Sequence, residues 1–214
     1  MTVTDRLERI PTAILYDVLR NLGERPRVLD RRIRGIDPTM RCAGPVFTIR
    51  GRPDPSLDAD ASLLAWVECL AAVPPGAVAV CQPQDDTRAL MGELSADCLR
   101  VKGVRGYIVD GGCRDADGIV AQGFPVFCRY FTPVDIVAAW RFEAVGEPVV
   151  IGDVVVEPDD HVAADRDGII LVPAARLDET LDAAAAKMGR ESDMARAIRA
   201  GMDPKAAYLK YRVF

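Results

Sequence analysis

From Thr12 onward the apolar residues Ile14, Leu15, Val18, Leu19 and Leu22 recur at steps of three and four, which puts them on one stripe of a helix. Thr12 is placed to cap that helix and Gly23 to end it. A basic, irregular stretch from Arg25 to Arg34 follows. Gly44 to Arg50 then alternates as a strand, and Pro53 to Asp60 reads as a loop. The next helix is predicted from Ala61 to Ala72, with Leu63, Leu64, Val67 and Leu70 turned inward and Pro74-Pro75-Gly76 as its stop. Ala77 to Cys81 is an unbroken apolar run, the mark of a strand buried on both faces. Beyond it, helices at Leu94 to Val101 and Arg114 to Gln122 alternate with strands at Gly106 to Val109 and Pro125 to Cys128, a pattern of parallel crossover units. Short strands at Val149 to Ile151, Val154 to Glu157 and Gly168 to Val172 are separated by Gly-Asp, Pro-Asp-Asp and Asp-Gly turns. Helices at Ala174 to Met188 and Asp193 to Ala200, and a last turn to Tyr211, close the pattern.

Composition narrows what such an α/β chain can do. With 214 residues, 50% of them hydrophobic, there is apolar matter for a continuous core, and one domain over 1–214 is expected. The net charge of −5 is the wrong sign for a phosphate backbone, so no nucleic-acid partner is expected. No apolar run approaches the roughly 20 residues of a bilayer span, and Met1 to Arg9 is too polar for a secretory signal. No membrane association and a cytoplasmic location are the expectation. The cysteines at 42, 69, 81, 98, 113 and 128 form no CxxC pair and read as small, mostly buried hydrophobes.

Histidine is the sharpest constraint. His161 is the only one, which excludes a zinc site built on two or three imidazoles. It lies in a Pro-Asp-Asp-His turn and reads as a solvated loop residue. Catalysis would therefore rest on carboxylates, arginine and a hard metal. Two segments offer them. Met91-Gly92-Glu93-Leu94-Ser95-Ala96 opens a helix, where first-turn N–H groups are free to bind an anion and a glycine allows close approach. Val109-Asp110-Gly111-Gly112-Cys113-Arg114-Asp115 runs from a strand's C-terminal end into another helix, the edge at which α/β sheets bind ligands. Arg114 can hold a carboxylate or a developing enolate oxygen, and Asp115 can take a hard divalent cation. The plainer alternative is that Asp115 caps the helix and Arg114 pairs on the surface. Asp110, Asp117 and Glu93 are further nearby carboxylates. Lys102 and Lys187 lack the apolar strand context that would activate a Schiff-base lysine.

Gly92-Glu93-Leu94, the run from Gly106 through Asp110-Gly111-Gly112-Cys113-Arg114-Asp115, Gly123-Phe124-Pro125-Val126-Phe127, Thr132-Pro133, and Gly152-Asp153 through Asp165-Arg166-Asp167-Gly168 to Val172-Pro173 carry a resemblance. In order and over nearly the whole chain, they resemble the RraA-like proteins and the 4-hydroxy-4-methyl-2-oxoglutarate (4-carboxy-4-hydroxy-2-oxoadipate) aldolases. The resemblance implies a β/β/α swivelling-domain sandwich with C-terminal helices, assembled as a homotrimer or homohexamer with sites between subunits. It implies a class II pyruvate aldolase using Mg²⁺ or Mn²⁺ that cleaves a 4-hydroxy-2-oxo dicarboxylic acid, with oxaloacetate decarboxylation as a side activity. The alternative within the same family is a regulator that inhibits a ribonuclease without turnover.

Carried over by residue, Asp115 is the metal ligand and Arg114 the group that polarises the C2 carbonyl and stabilises the enolate. The amides of Gly92, Glu93, Leu94 and Ser95 grip the carboxylate of the 2-oxo acid substrate. The family's aldolases place an acidic residue, then twenty intervening positions, then Arg-Asp, and Glu93 falls at that acidic position, a glutamate where the family pattern has aspartate. Proton transfer is assigned to water, relayed by Glu93 or by Glu191 of a neighbouring chain. The plain reading of Glu191 is a solvated helix carboxylate.

Overall fold

A computed structural model describes residues 2–213. In chain order the elements are α1 (Val3–Glu8), α2 (Thr12–Asn21), β1 (Arg27–Val28), β2 (Arg34–Gly35), β3 (Cys42–Pro53), α3 (Ala59–Ala72), β4 (Val78–Gln82), α4 (Glu93–Val101), β5 (Gly106–Val109) and β6 (Gly112–Cys113). They continue with α5 (Ala116–Gln122), β7 (Val126–Cys128), β8 (Tyr130–Phe131), β9 (Trp140–Val145), β10 (Val149–Ile151), β11 (Val154–Val156), β12 (His161–Ala164), β13 (Ile169–Val172), α6 (Leu177–Arg199) and α7 (Pro204–Tyr211).

One sheet organises the molecule, in the order β1-β13-β12-β3-β4-β5-β7-β2 with β9 also on β3. Strands β3, β4, β5 and β7 are parallel, joined by the crossovers through α3, α4 and α5; the flanking strands are antiparallel. The period of two along a strand divides the core into layers. Ala79 and Cys81 of β4 face α3, α4 and α5 together with Tyr107 and Val109. Val78, Val80 and Ile108 face the other way, onto Val149, Ile151 and Val156 of the small β10–β11 hairpin. Hairpin, main sheet and helices are the three layers of the expected β/β/α sandwich. On the antiparallel wing α1, α2 and α6 cover Ala43, Ala163, Ile170 and Val172.

Several local expectations need correction. Thr12 is the first helical residue, not the cap; its N–H and hydroxyl both donate to Asp165, a distant residue acting as the cap. Helix α3 starts at Ala59 behind Asp58, and it is turned differently from its predicted facing. Ser62, Trp66, Cys69 and Leu70 are buried, whereas Leu63, Leu64 and Val67 are exposed. An apolar helix has no single hydrophobic stripe, so periodicity could not choose its inner face. Arg114 lies ahead of α5, and Asp115 caps it only by position, without a side-chain cap hydrogen bond. His161 is half-buried at the start of β12, not in a solvated turn, and β9 was not predicted. The two predicted helices around Gly189 are one, α6. Among the described residues no helix is long and apolar enough to cross a membrane.

Candidate active site

The loop between β4 and α4 is stitched to the segment after β5. Ala89 bridges Gly112 in parallel, Leu90 N–H donates to the Gly112 carbonyl at 2.9 Å, and Arg114 N–H donates to the Met91 carbonyl at 2.9 Å. The buried Tyr107 hydroxyl donates to the Leu90 carbonyl at 3.2 Å. This close approach explains Gly112, where a Cβ would lie 2.6 Å from the Arg88 carbonyl oxygen. The two segments singled out in the sequence thereby meet, although twenty residues separate Glu93 from Arg114.

At the junction the Arg114 side chain lies over Gly92, and a Cβ there would stand 2.9 Å from Asp115 Oδ2 and 3.2 Å from Arg114 Nε. Asp115 Oδ2 accepts the Glu93 N–H at 3.3 Å and sits 3.5 Å from Arg114 Nε. Asp115 has φ 55° and ψ 35°, the left-handed region that a non-glycine residue seldom occupies. Such backbone persists where its surroundings impose it. The start of α4 has no side-chain cap, and among the described residues nothing accepts the N–H groups of Leu94 and Ser95. Two unpaired donors and the positive end of α4 thus face the guanidinium and carboxylate of Arg114 and Asp115.

These residues line a cavity of about 250 Å³, and Arg114 and Asp115 also border a more open cleft of about 310 Å³ on Phe131, Thr132 and Pro133. The pair therefore stands on the ridge between two hollows. Ser95 has a structural duty as well, because its hydroxyl accepts the Trp66 indole N–H at 3.0 Å. Trp66 meets Trp140 edge-to-face at 5.9 Å, and Trp140 donates to the Pro83 carbonyl at 2.9 Å. Beside Arg114, a hydrogen bond with the Cys128 thiol and burial push the Cys113 thiol far above its ordinary range, so it stays protonated.

Not every candidate joins the site. The Glu93 carboxylate lies over Gly118 of α5, where a Cβ would come within 2.5 Å of it, and Gln122 Nε2 is 3.5 Å away. Asp110 pairs with Arg129 at 3.0 Å, and burial pushes its carboxyl up. Within this chain Glu191 pairs with Lys187 at 2.8 Å, and that partner holds Lys187 above the ordinary lysine range, the wrong direction for a nucleophile. Asp135 was missed: its Oδ2 lies 3.4 Å from Arg114 Nη1, and its Oδ1 accepts the Val137 N–H. The only sequence cue was an aspartate in the polar turn after Thr132-Pro133.

Among the described residues no group of three His, Cys, Asp or Glu side chains forms a metal cage. The donor set nevertheless suits Mg²⁺, which commonly takes one or two carboxylates and completes its shell with waters and substrate oxygens. Asp115, half-exposed between the two hollows, is the carboxylate so placed.

The profile of the RraA-like family, described as Aldolase/RraA, matches residues 12–171. A curated relative from Halalkalibacterium halodurans, recorded as "Putative 4-hydroxy-4-methyl-2-oxoglutarate aldolase", is 28% identical over 205 residues, covering 94% of this chain and 90% of its own length. An uncharacterized protein from Pseudomonas syringae pv. tomato has a solved structure with TM-score 0.84 and 26% identity, over 96% of either chain. Streptomyces coelicolor RraAS2, described as an unusual member of the RNase ES inhibitor RraA protein family, superposes with TM-score 0.75 at 28% identity, over 91% of this chain and 95% of that one.

Proposed function

This chain belongs to the RraA-like Aldolase/RraA family, and from that membership and the Arg114–Asp115 geometry we propose that it is a divalent-metal-dependent lyase acting on 4-hydroxy-2-oxo acids. It releases pyruvate and a second carbonyl compound, and decarboxylates oxaloacetate as a side reaction. The observation that carries this reading is the meeting of Arg114 and Asp115 with the uncapped start of α4 across Gly92.

Cleaving the C3–C4 bond leaves an electron pair on C3 that is delocalised onto the C2 oxygen, so catalysis requires positive charge fixed at that oxygen. The Arg114 guanidinium supplies it in a two-pronged form that also reaches the neighbouring carboxylate. The Leu94 and Ser95 N–H groups hold that carboxylate without bringing another charge. Mg²⁺ or Mn²⁺ held by Asp115 would add Lewis-acid stabilisation of the same oxygen. Asp135 fixes the guanidinium from its far side. Water carries the proton from the C4 hydroxyl and returns one to C3, because no histidine is near.

The test is pyruvate release from oxaloacetate, read through lactate dehydrogenase and corrected for metal alone, with EDTA and then with Mg²⁺ or Mn²⁺ restored. The expected result is loss and recovery of turnover. Turnover indifferent to EDTA would overturn the metal assignment.

The exposed Leu63 and Val67 on α3 and Leu94 on α4, all lining the cavity, form an apolar strip. We assign it to contacts in a homotrimer or homohexamer, which light scattering would show as a multiple of 23.2 kDa. The same strip favours a second reading, a ribonuclease-binding regulator. Ribonuclease inhibition that survives loss of Arg114, without pyruvate release, would select that reading.

A further inference from the structure

Arg114 stands between two carboxylates, and its two contacts differ in kind. Nη1 donates a hydrogen bond to Asp135 Oδ2 at 3.4 Å, whereas Nε only approaches Asp115 Oδ2, at 3.5 Å, an oxygen that accepts the Glu93 N–H. Among the described residues no hydrogen bond reaches Asp115 Oδ1. One carboxylate holds the guanidinium, and the other keeps an oxygen open.

The backbone around Asp135 suits it to that holding role. Its Oδ1 accepts the Val137 N–H at 3.1 Å, which leaves Oδ2 for Arg114. On one side the Val134 carbonyl accepts the Ala89 N–H at 2.8 Å, and on the other the Ile136 side chain is buried. Ala89 lies on the loop whose Met91 carbonyl accepts the Arg114 N–H, so Asp135 and the Arg114–Asp115 backbone are tied to one frame. These contacts lie within one chain and use none of the apolar strip assigned to subunit contacts.

A guanidinium and a divalent cation at the same carboxylate repel each other and compete for its oxygens. Both carboxylates are half-exposed, so solvent screens the attraction between Arg114 and Asp115 and the guanidinium is free to rest on another anion. Asp135 is that anion. Without its charge, Asp115 becomes the nearest counter-charge of Arg114, and the guanidinium settles on the oxygens that a cation needs.

We propose that Asp135 is a positioning residue that holds Arg114 off Asp115, so that one carboxylate carries the guanidinium and the other stays open to the divalent cation. This rests on the metal assignment made for the lyase reading, and not on which 2-oxo acid is cleaved. Asp135 acts only through Arg114.

The probe is Mn²⁺ alone, titrated by calorimetry into the intact protein and its variants without substrate. Asp135→Asn is the sharp substitution, because the amide oxygen still accepts the Val137 N–H and only the charge is lost. It should weaken Mn²⁺ binding about 3- to 10-fold, within the range of coupling between neighbouring charges. In an Arg114→Gln background there is no guanidinium to release, so the same substitution should change Mn²⁺ binding less than about 2-fold. Asp135→Ser, whose hydroxyl serves the same turn, repeats the cycle if melting curves show that the asparagine variant has lost its fold. Equal weakening in both backgrounds would make Asp135 a charge acting through space, and no weakening in either would leave it without a role; each overturns the proposal. No Mn²⁺ binding by the unmodified protein, or binding retained in Asp115→Asn, overturns the metal assignment and this proposal with it. Oxaloacetate turnover is read separately: the expected cycle without pyruvate release would sink the lyase reading and leave the role of Asp135 standing.

Discussion

Helices α2 and α4 both begin at an edge of the main sheet, and their first turns are finished in opposite ways. At α2 the buried Asp165 accepts the Thr12 N–H at 2.9 Å and its hydroxyl at 2.7 Å, and the same carboxylate accepts Asp167 N–H at 3.0 Å. At α4, among the described residues, the N-cap offers no side-chain hydrogen bond, and the Asp115 carboxylate takes only the Glu93 N–H. An uncapped helix start costs about 0.5–2 kcal/mol relative to a good cap. One end of the sheet is therefore closed by the chain's own carboxylate, and the other leaves donors for an anion brought from outside. Stability and chemistry are assigned to different helix starts.

The strongest way to break this contrast is to change the pair at the open end. Asp115→Asn keeps the volume and removes the charge, so turnover of oxaloacetate should fall about 10²- to 10³-fold while the circular dichroism spectrum is unchanged. Arg114→Lys should be nearly as severe, with the loss in kcat, because an ammonium cannot make the two-pronged contact. Wild-type rates from either variant would remove that residue from the chemistry.

Gly92→Ala is a finer probe. The backbone there is extended, at φ −144°, so alanine brings no strain; its Cβ would displace the Asp115 carboxylate and the Arg114 guanidinium. Displacements near 1 Å at a reacting centre can cost about 100-fold. We expect kcat to fall about 10- to 100-fold with little change in melting temperature. A fall in stability with kcat preserved would make Gly92 a packing residue.

How legible this was in the sequence depended on where the information lay. The parallel strands were readable because Val78 to Cys81 and Gly106 to Val109 are apolar on both faces, and the Gly-Gly-Cys-Arg-Asp run marked the edge of the sheet. Helix α3 was placed well and faced wrongly: a helix with apolar residues all round carries no directional information, and Ser62 at an inner position donates its hydroxyl to the Ala59 carbonyl. The cavity wall was lost with that facing. Asp165 as the cap of α2, and Asp135 as the partner of Arg114, depend on contacts across 153 and 21 residues, which no local pattern encodes. Trp140, fully buried against a bulge at Gly51, similarly hid strand β9.

At the closed end the expected effect is on stability alone. Asp165→Ala leaves Thr12 without its acceptor and should cost about 2 kcal/mol, lowering the melting temperature by roughly 4–8 °C for a chain of this size. kcat should be unchanged when assayed well below that transition. A large loss of kcat would show that the two ends are coupled.

The smallest effect expected is at His161, between β3 and β13 on the same wing. Burial pushes its imidazole below the ordinary value of 6.5, with Asp160 pulling weakly the other way, and Nδ1 is buried without a hydrogen-bond partner. The folded chain therefore binds the proton less readily than the unfolded chain does. As pH falls through about 6.5 the unfolded state takes up the proton first, so stability from this group is full above that value and declines below it. Because His161 is the chain's only histidine, its ring signals in proton NMR are assigned without mutagenesis. They should titrate below 6.5, and melting temperatures between pH ~5 and ~7 should slope less steeply downward with acid in His161→Gln than in the unmodified protein. A titration midpoint at or above 6.5 would mean that Asp160, not burial, controls the ring, and the sign of the predicted slope would reverse.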